Sequence, residues 1–204
     1  MNLFLYSKGD VEIHKKDIAY SGYFRIDRYL LSHRKFDGDM SKPRTFELFE
    51  RGQAVAVLPY DPRADKVVLV EQFRMGAVDS DNPWLLEVIA GIIEEGEHAD
   101  EVARRESMEE AHCQLAALES IAQVYVSPGG SSESVQLFCA KTDVSKLSQY
   151  TAGLEEEGED IRVHVVAFSQ AMALLQQKKI KSAPAMMCLQ WLQLNKYLIK
   201  EKWL

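Results

Sequence analysis

The first fifty residues alternate apolar and polar side chains in the manner of β-strands. Alternating or aromatic-rich runs lie at residues 11–14, 23–31 and 45–49, and residues 36–39 (Phe-Asp-Gly-Asp) are a turn signal between the second and third runs. This pattern predicts a small antiparallel β unit. Because three strands bury little apolar surface by themselves, we expect the unit to pack on the rest of the chain or on a second subunit.

After residue 50 the apolar runs become continuous, which is typical of buried strands. The predicted strands lie at residues 54–58, 66–74, 84–90, 121–126, 134–140 and 161–168. A helix is predicted to begin at Phe168 and a longer one near Ser182, which is a suitable N-cap. Spacing predicts that the last helix turns four side chains to the core: Met187, Trp191, Leu194 and Leu198.

The order of these elements predicts the fold class. Strands and helices are mixed without regular βαβ alternation, so we expect an α+β fold, or an α/β/α sandwich, rather than a doubly wound sheet. Residues 1–50 are predicted to form the N-terminal β unit and residues 51–204 the main domain.

An acidic stretch between Gly91 and Cys113 carries the candidate chemistry. It holds eight acidic residues and two arginines. Glu106 and Glu110 are four residues apart, so a helix places them on one face, where like charges repel each other. A hard cation such as Mg2+ would neutralise them. The alternative is a solvated helix laced with salt bridges, which is the common arrangement for glutamate-rich helices.

Composition narrows the class of protein. The chain has 204 residues, 47% of them hydrophobic, and a net charge of −7. No basic stripe is present, so we expect no nucleic-acid partner. No apolar run approaches the length of a membrane span, and the N-terminus lacks the basic region of a signal peptide. The three cysteines contain no CxxC pair, which favours free thiols and a cytoplasmic location.

The spacing of the acidic stretch resembles the Nudix box, G-x5-E-x7-R-E-U-x-E-E-x-G-U, where U is a large aliphatic residue. Six positions match in register: Gly91, Glu97, Arg105, Glu106, Glu109 and Glu110. Ser107 stands at an aliphatic position, His112 at the last glycine and Cys113 at the last apolar position. The glycine normally lets the chain leave the helix with positive φ, so His112 puts the local geometry in question.

The resemblance implies a Nudix-type α/β/α sandwich that binds Mg2+, or alternatively Mn2+, against a diphosphate. It implies that Glu106, Glu110 and the backbone carbonyl of Ala90 ligate the metal, that Glu109 assists, and that Arg105 orients the glutamates. Residues 155–160 hold five carboxylates. On the same resemblance Glu157 is the general base and Glu159 a further metal ligand. The alternatives are a solvated acidic loop and a register shifted by one or two positions within this segment.

Further stretches resemble the bacterial ADP-ribose pyrophosphatase subfamily, among them residues 49–52 (Phe-Glu-Arg-Gly), 71–74 (Glu-Gln-Phe-Arg) and 127–130 (Ser-Pro-Gly-Gly). This likeness implies hydrolysis of ADP-ribose to AMP and ribose 5-phosphate by a homodimer that exchanges its N-terminal β units. Adenine would lie between Tyr23 of one subunit and Phe46 of the other, although core packing of both rings is an equal alternative. The remaining implied substrate contacts are Phe24, Glu47, Arg51, Arg74, Ile92 and Ser127.

Two other functions remain open at this point. The first changes only the substrate, to another nucleoside diphosphate sugar such as ADP-glucose or GDP-mannose. The second is a catalytically silent nucleotide-sensing module that keeps the fold. The matched glutamates favour catalysis, while Ser107 and His112 leave room for the silent module.

Overall fold

The computed structural model describes residues 3–147, 150–153 and 159–204. The chain divides into two compact units. The first comprises Met1–Gly52 and Tyr125–Glu133, and the second comprises Gln53–Val124 and Ser134–Leu204. The division predicted from the sequence, into residues 1–50 and 51–204 with separate roles, stays a prediction.

The first unit contains the predicted antiparallel sheet. Its strands are β1 (Val11–Ser21), β2 (Arg25–His33) and β3 (Arg44–Glu50), in the order β1-β2-β3. The turn predicted at residues 36–39 is present, with Gly38 at φ 96°. Beyond the prediction, the 125–133 segment joins this unit, because the Phe49 N–H donates to the Gly130 carbonyl at the edge of β3.

The second unit is built on an eight-stranded mixed sheet. Its strands are β4 (Gln53–Asp61), β5 (Lys66–Phe73), β6 (Trp84–Glu87), β7 (Ile89–Ile93), β8 (Ala117–Tyr125), β9 (Ser134–Lys141), β10 (Tyr150–Ala152) and β11 (Ile161–Ala167). The order is β10-β11-β5-β4-β9-β8, with β6 pairing β5 and β7 pairing β4. The β4–β9 pair is parallel. The helices are α1 (Ala99–Ala111), α2 (Phe168–Gln176) and α3 (Ala183–Trp203).

Helices cover the two faces of this sheet. Successive strand residues point to opposite faces. Val55 and Val57 of β4 pack with Val102 and Ala103 of α1. The intervening residues, such as Ala56, are equally buried on the other face, where α3 contacts β4 and β9. The predicted α+β fold with an α/β/α arrangement and an N-terminal antiparallel sheet is therefore confirmed.

The predicted core face of α3 is wrong in its register. Leu194 and Leu198 are 84% and 61% exposed, and Met187 and Trp191 are only partly buried. The buried face is formed by Ala185, Cys188, Leu189, Leu192, Ile199 and Trp203. This helix carries apolar residues around much of its circumference, so more than one of its faces has the spacing expected of a buried face. The face that packs against the sheet begins with the small residues Ala185 and Cys188.

Two further sequence predictions can be compared directly with the structure. The cysteines Cys113, Cys139 and Cys188 are all buried free thiols, as predicted. Within the described ranges, none of the helices has both the length and the apolar character needed to cross a membrane.

Candidate active site

The acidic side chains of α1 are held at the junction of this helix with β7. Glu106 and Glu110 lie on one helical face, as predicted, and contact the β7 backbone around Ala90 and Gly91. The Ala90 N–H donates to Glu110 Oε2 at 3.4 Å. A β-carbon on Gly91 would fall 2.1 Å from Glu106 Oε1. A side chain at position 91 would therefore force the Glu106 side chain to move from the place that it occupies.

Burial and mutual repulsion disfavour the ionised forms of these two carboxyls. Glu110 is only 2% exposed; its burial, with the nearby charges of Glu106 and Glu159, raises its pKa to about 8. Burial also raises the pKa of Glu106 to about 7, and Glu109 and Glu159 add to this effect while Arg105 opposes it. Glu106, Glu110 and Glu159, which are three of the predicted metal ligands, therefore interact electrostatically.

Arg105 connects the acidic residues, as the sequence predicted. Its guanidinium lies 2.9 Å from Glu106 Oε1, 3.1 Å from Glu109 Oε2 and 3.5 Å from Glu97 Oε1. Glu97 also accepts a 2.9 Å hydrogen bond from the Glu94 N–H, which orders the turn before α1. This network fixes the direction of the Glu106 and Glu109 carboxylates.

The departures from the box pattern have local explanations. Ser107 is buried, and its hydroxyl donates to the Ala103 carbonyl at 2.7 Å, so its polar group is satisfied within the helix. His112 adopts the left-handed conformation (φ 39°, ψ 33°) in which glycine is usual.

The donor set suits a hard divalent cation. Mg2+ binds carboxylate oxygens, and water molecules complete its coordination. Within residues 3–147, 150–153 and 159–204, no three His, Cys, Asp or Glu side chains converge closely enough to hold an ion by themselves.

The predicted substrate residues fall into both units. In the second unit, Arg74 Nε donates to Glu87 Oε2 at 2.6 Å. Burial raises the pKa of Glu110, and the Arg74 charge opposes this rise in part. Ile92 is half-exposed on β7. Sequence reasoning missed the contact that Glu87 makes with Arg74.

In the first unit the predicted residues separate onto two faces of the sheet. The Arg51 guanidinium lies over the rings of Phe24 and Phe49 at 5.1 and 5.7 Å, and Tyr23, 93% exposed, contacts the Phe24 ring. Phe46 is three residues from Phe49 on β3 and so lies on the opposite face. Its own cross-strand partner is Tyr29.

The last two predicted residues of the first unit are Glu47 and Ser127. Glu47 is exposed and pairs with Arg28 across the strands. The Ser127 carbonyl accepts from the Ser131 N–H at 2.9 Å. Glu157, the predicted general base, lies outside the described residues.

Comparisons with known proteins show which family the chain resembles. The NUDIX domain model matches residues 50–187. The ADP-ribose pyrophosphatase of Escherichia coli (strain K12) is 44% identical over 199 residues, which is 97% of this chain and 95% of the relative. The protein of the same name from Haemophilus influenzae is 43% identical over 202 residues, covering 97% and 93%.

Two further comparisons are broader. The GDP-mannose pyrophosphatase of Cronobacter sakazakii is 32% identical over 188 residues, which is 91% of this chain and 96% of the relative. A solved structure described as an ADP compounds hydrolase superposes with a TM-score of 0.71 at 21% identity and covers 97% and 98% of the two chains. That likeness shows the fold. With the domain match, the near-full-length identities and the geometry of Gly91 and the α1 glutamates, the chain belongs to the Nudix family.

Proposed function

We propose that this protein hydrolyses ADP-ribose to AMP and ribose 5-phosphate with Mg2+ as its cofactor. One water is consumed: its oxygen bonds to one phosphorus, and the bridging oxygen leaves on the other phosphate. The observation that carries the proposal is the group of mutually repelling carboxylates, Glu106, Glu110 and Glu159, in a Nudix domain. The names of the relatives that are 43–44% identical support ADP-ribose as the substrate.

We assign the metal to Glu106, Glu110, Glu159 and the Ala90 carbonyl, with Glu109 assisting. Bound Mg2+ supplies positive charge to the diphosphate and lowers the pKa of a bound water. The chain itself supplies the preorganisation. Arg105 holds Glu106 and Glu109 in place before any ligand arrives, and the absence of a side chain at Gly91 gives Glu106 its position. Mn2+ is the alternative metal, since it takes the same oxygen donors.

Removal of the water proton is assigned to Glu157, by its resemblance to the subfamily. An alternative base in the 155–159 segment is distinguished by comparing Glu157→Gln with Glu155→Gln and Glu156→Gln. The Glu157 variant should lose turnover and keep metal binding, because it removes the proton acceptor only. A larger loss in either neighbour would move the assignment to that residue.

Arg51 and Arg74 are each proposed as a substrate contact from the subfamily likeness, because planar guanidinium groups suit phosphate oxygens. Each is held by a carboxylate of its own unit: Arg74 by Glu87 at 2.6 Å and Arg51 by Glu133 at 3.6 Å. Phe24, Glu47, Ile92 and Ser127 are proposed as further substrate contacts from the subfamily likeness.

We propose that the protein acts as a homodimer that exchanges its N-terminal β units. Tyr23 and Phe46 lie on opposite sides of one sheet, so the two rings of one chain are poorly placed to enclose one base. A base between Tyr23 of one subunit and Phe46 of the other avoids this problem. Apolar side chains on β1 are also exposed, among them Ile13 and Ile18 at 56% and 59%.

Subunit mixing tests the shared site. Tyr23→Ala and Phe46→Ala should each impair both sites of their own homodimer. A heterodimer of the two variants regains one intact site, so an equimolar, fully exchanged mixture should recover about a quarter of the wild-type sites. Light scattering checks the dimer, and a mixture no more active than its components contradicts the arrangement.

A substrate panel tests the function itself. ADP-ribose, ADP-glucose and GDP-mannose are incubated with the protein and Mg2+, with EDTA as control. ADP-ribose should be hydrolysed with the highest kcat/KM. Preference for GDP-mannose would favour the second substrate class, which the Cronobacter relative supports. Tight nucleotide binding without product in Mg2+ or Mn2+ would favour the silent sensing module. The cytoplasmic location stays a prediction.

A further inference from the structure

The C-terminal end of α1 contacts the short strand β10 through a residue that departs from the box pattern. His112 takes the place of the usual glycine and keeps its left-handed conformation, φ 39°. Glycine adopts that conformation without steric hindrance, whereas histidine does not. A histidine at this position therefore needs interactions that a glycine could not make.

Three interactions surround this position. The His112 ring stacks on the Tyr150 ring, with centroids 5.6 Å apart and an interplanar angle of 9°. His112 Nδ1 hydrogen-bonds the Met108 carbonyl at 3.0 Å, which requires a proton on that nitrogen. The Tyr150 hydroxyl donates to the Ala111 carbonyl. The first residue of β10 is thus attached to the end of α1 by its ring and by its hydroxyl.

The residue that follows β10 lies close to the backbone of Glu159. The three residues of β10 pair with β11, ending at Ala152 opposite Ile161. The next residue, Gly153, has φ 104°, and a β-carbon there would lie 2.8 Å from Glu159 Cβ and 3.2 Å from the Glu159 carbonyl oxygen. The position of residues 150–153 therefore determines where Glu159 can lie.

Glu159 connects residues 150–153 with the carboxylates of α1. Glu159 is close enough to Glu106 and Glu110 for its charge to act on both of them. The attachment of β10 to the end of α1 restrains residues 150–153, and through Gly153 it restrains the backbone of Glu159.

We propose that the stacked pair His112 and Tyr150 is a clamp that positions Glu159 beside the carboxylates of α1. Both are positioning residues, since they act through β10 and Glu159. The catalytic meaning of the clamp rests on the proposed function, whereas its structural effect does not. The competing explanation is that the Tyr150 ring only covers the end of the helix.

Hydrogen exchange of the metal-free protein tests the structural effect. His112→Gly and Tyr150→Leu should each speed amide exchange in residues 150–153 and 159–163 by about tenfold. Tyr197→Leu, a matched change at an exposed α3 tyrosine, should leave these amides unchanged. The Tm of His112→Gly should equal or exceed that of the wild type, because glycine relieves the left-handed backbone. Unchanged exchange in both clamp variants would overturn the proposal.

Metal dependence of ADP-ribose hydrolysis tests the consequence. Each clamp variant should need about tenfold more Mg2+ for half-maximal activity, as is typical when a residue that orients a ligand is lost, with little change in KM. Tyr150→Phe keeps the ring and should retain most of the wild-type response. A ring that only covers the helix would lower Tm without moving the Mg2+ midpoint, and this result would overturn the catalytic part.

A double-mutant cycle completes the test. If His112 acts through Tyr150, the double variant should lose no more than Tyr150→Leu alone. Additive losses would refute the clamp. Absence of ADP-ribose hydrolysis by the wild-type protein would refute the proposed function instead, and the exchange measurement would still decide whether the clamp exists.

Discussion

Replacing Glu110 by glutamine should stabilise the metal-free protein while removing its activity. Glu110 is almost fully buried, and its pKa is about 8 against 4.5 for an unperturbed carboxyl. Between these two pH values the unfolded chain has lost the proton and the folded chain has kept it. The free energy of unfolding of the wild type therefore falls as pH rises from about 4.5 to about 8.

Each pKa unit corresponds to about 1.4 kcal/mol, so the full effect at about pH 7.5 is about 4 kcal/mol. We expect about 2 kcal/mol, because Glu106 contributes to the shift and can itself take up a proton or turn towards water. Glutamine is neutral and of the same size, and its amide oxygen can keep the Ala90 N–H bond. The variant thus avoids the cost of placing a carboxyl at this position.

Urea unfolding in EDTA, at several values between pH 5 and pH 8, measures this difference. The Glu110→Gln midpoint should match the wild type near pH 5 and exceed it by about 1 M near pH 8. Glu101→Gln is the matched control, since Glu101 is exposed on the first turn of the same helix. A Glu110→Gln variant less stable than the wild type at pH 8 would refute the reasoning.

Three further predictions test the site and the core. Gly91→Ala should reduce activity at least about tenfold, because its β-carbon displaces the Glu106 carboxyl, and the apparent Mg2+ affinity in a kinetic titration should fall with it; an unchanged titration would contradict the close contact. Arg74→Lys should raise KM for ADP-ribose about tenfold with a smaller effect on kcat, since a point charge replaces a planar fork; unchanged KM would remove Arg74 from the substrate site. Leu189→Ala should lower the free energy of unfolding by about 2–5 kcal/mol and Leu194→Ala by less than about 0.5 kcal/mol, as urea unfolding can show; similar losses would restore the predicted α3 register.

The pattern of apolar and polar residues predicted the fold correctly where it was compatible with only one buried face. The continuous run at residues 54–58 lies in the buried strand β4, and the alternating N-terminal runs form the three-stranded sheet. The α3 prediction failed because Leu194 and Leu198 satisfy helical spacing as well as the residues that are buried do. Only the tertiary contact with β4 and β9 distinguishes the two stripes.

The candidate site divides in the same way. Fixed spacing in the box predicted the shared face of Glu106 and Glu110 and the bridging by Arg105. Tyr150 could not be predicted, because it is 38 residues from His112 and belongs to a strand of three residues with no periodicity to detect. Long-range contacts of this kind depend on how β10 pairs with β11, which the local sequence does not encode.

The most direct test of the central claim is product analysis of ADP-ribose incubated with the protein and Mg2+. Nucleotides are separated by ion exchange for the wild type, Glu106→Gln and Glu110→Gln, with EDTA controls. The wild type should give AMP and ribose 5-phosphate in equal amounts, only with metal, and both variants should retain little activity. AMP formation in EDTA, or near-wild-type turnover in both variants, would contradict metal-dependent hydrolysis at the α1 carboxylates.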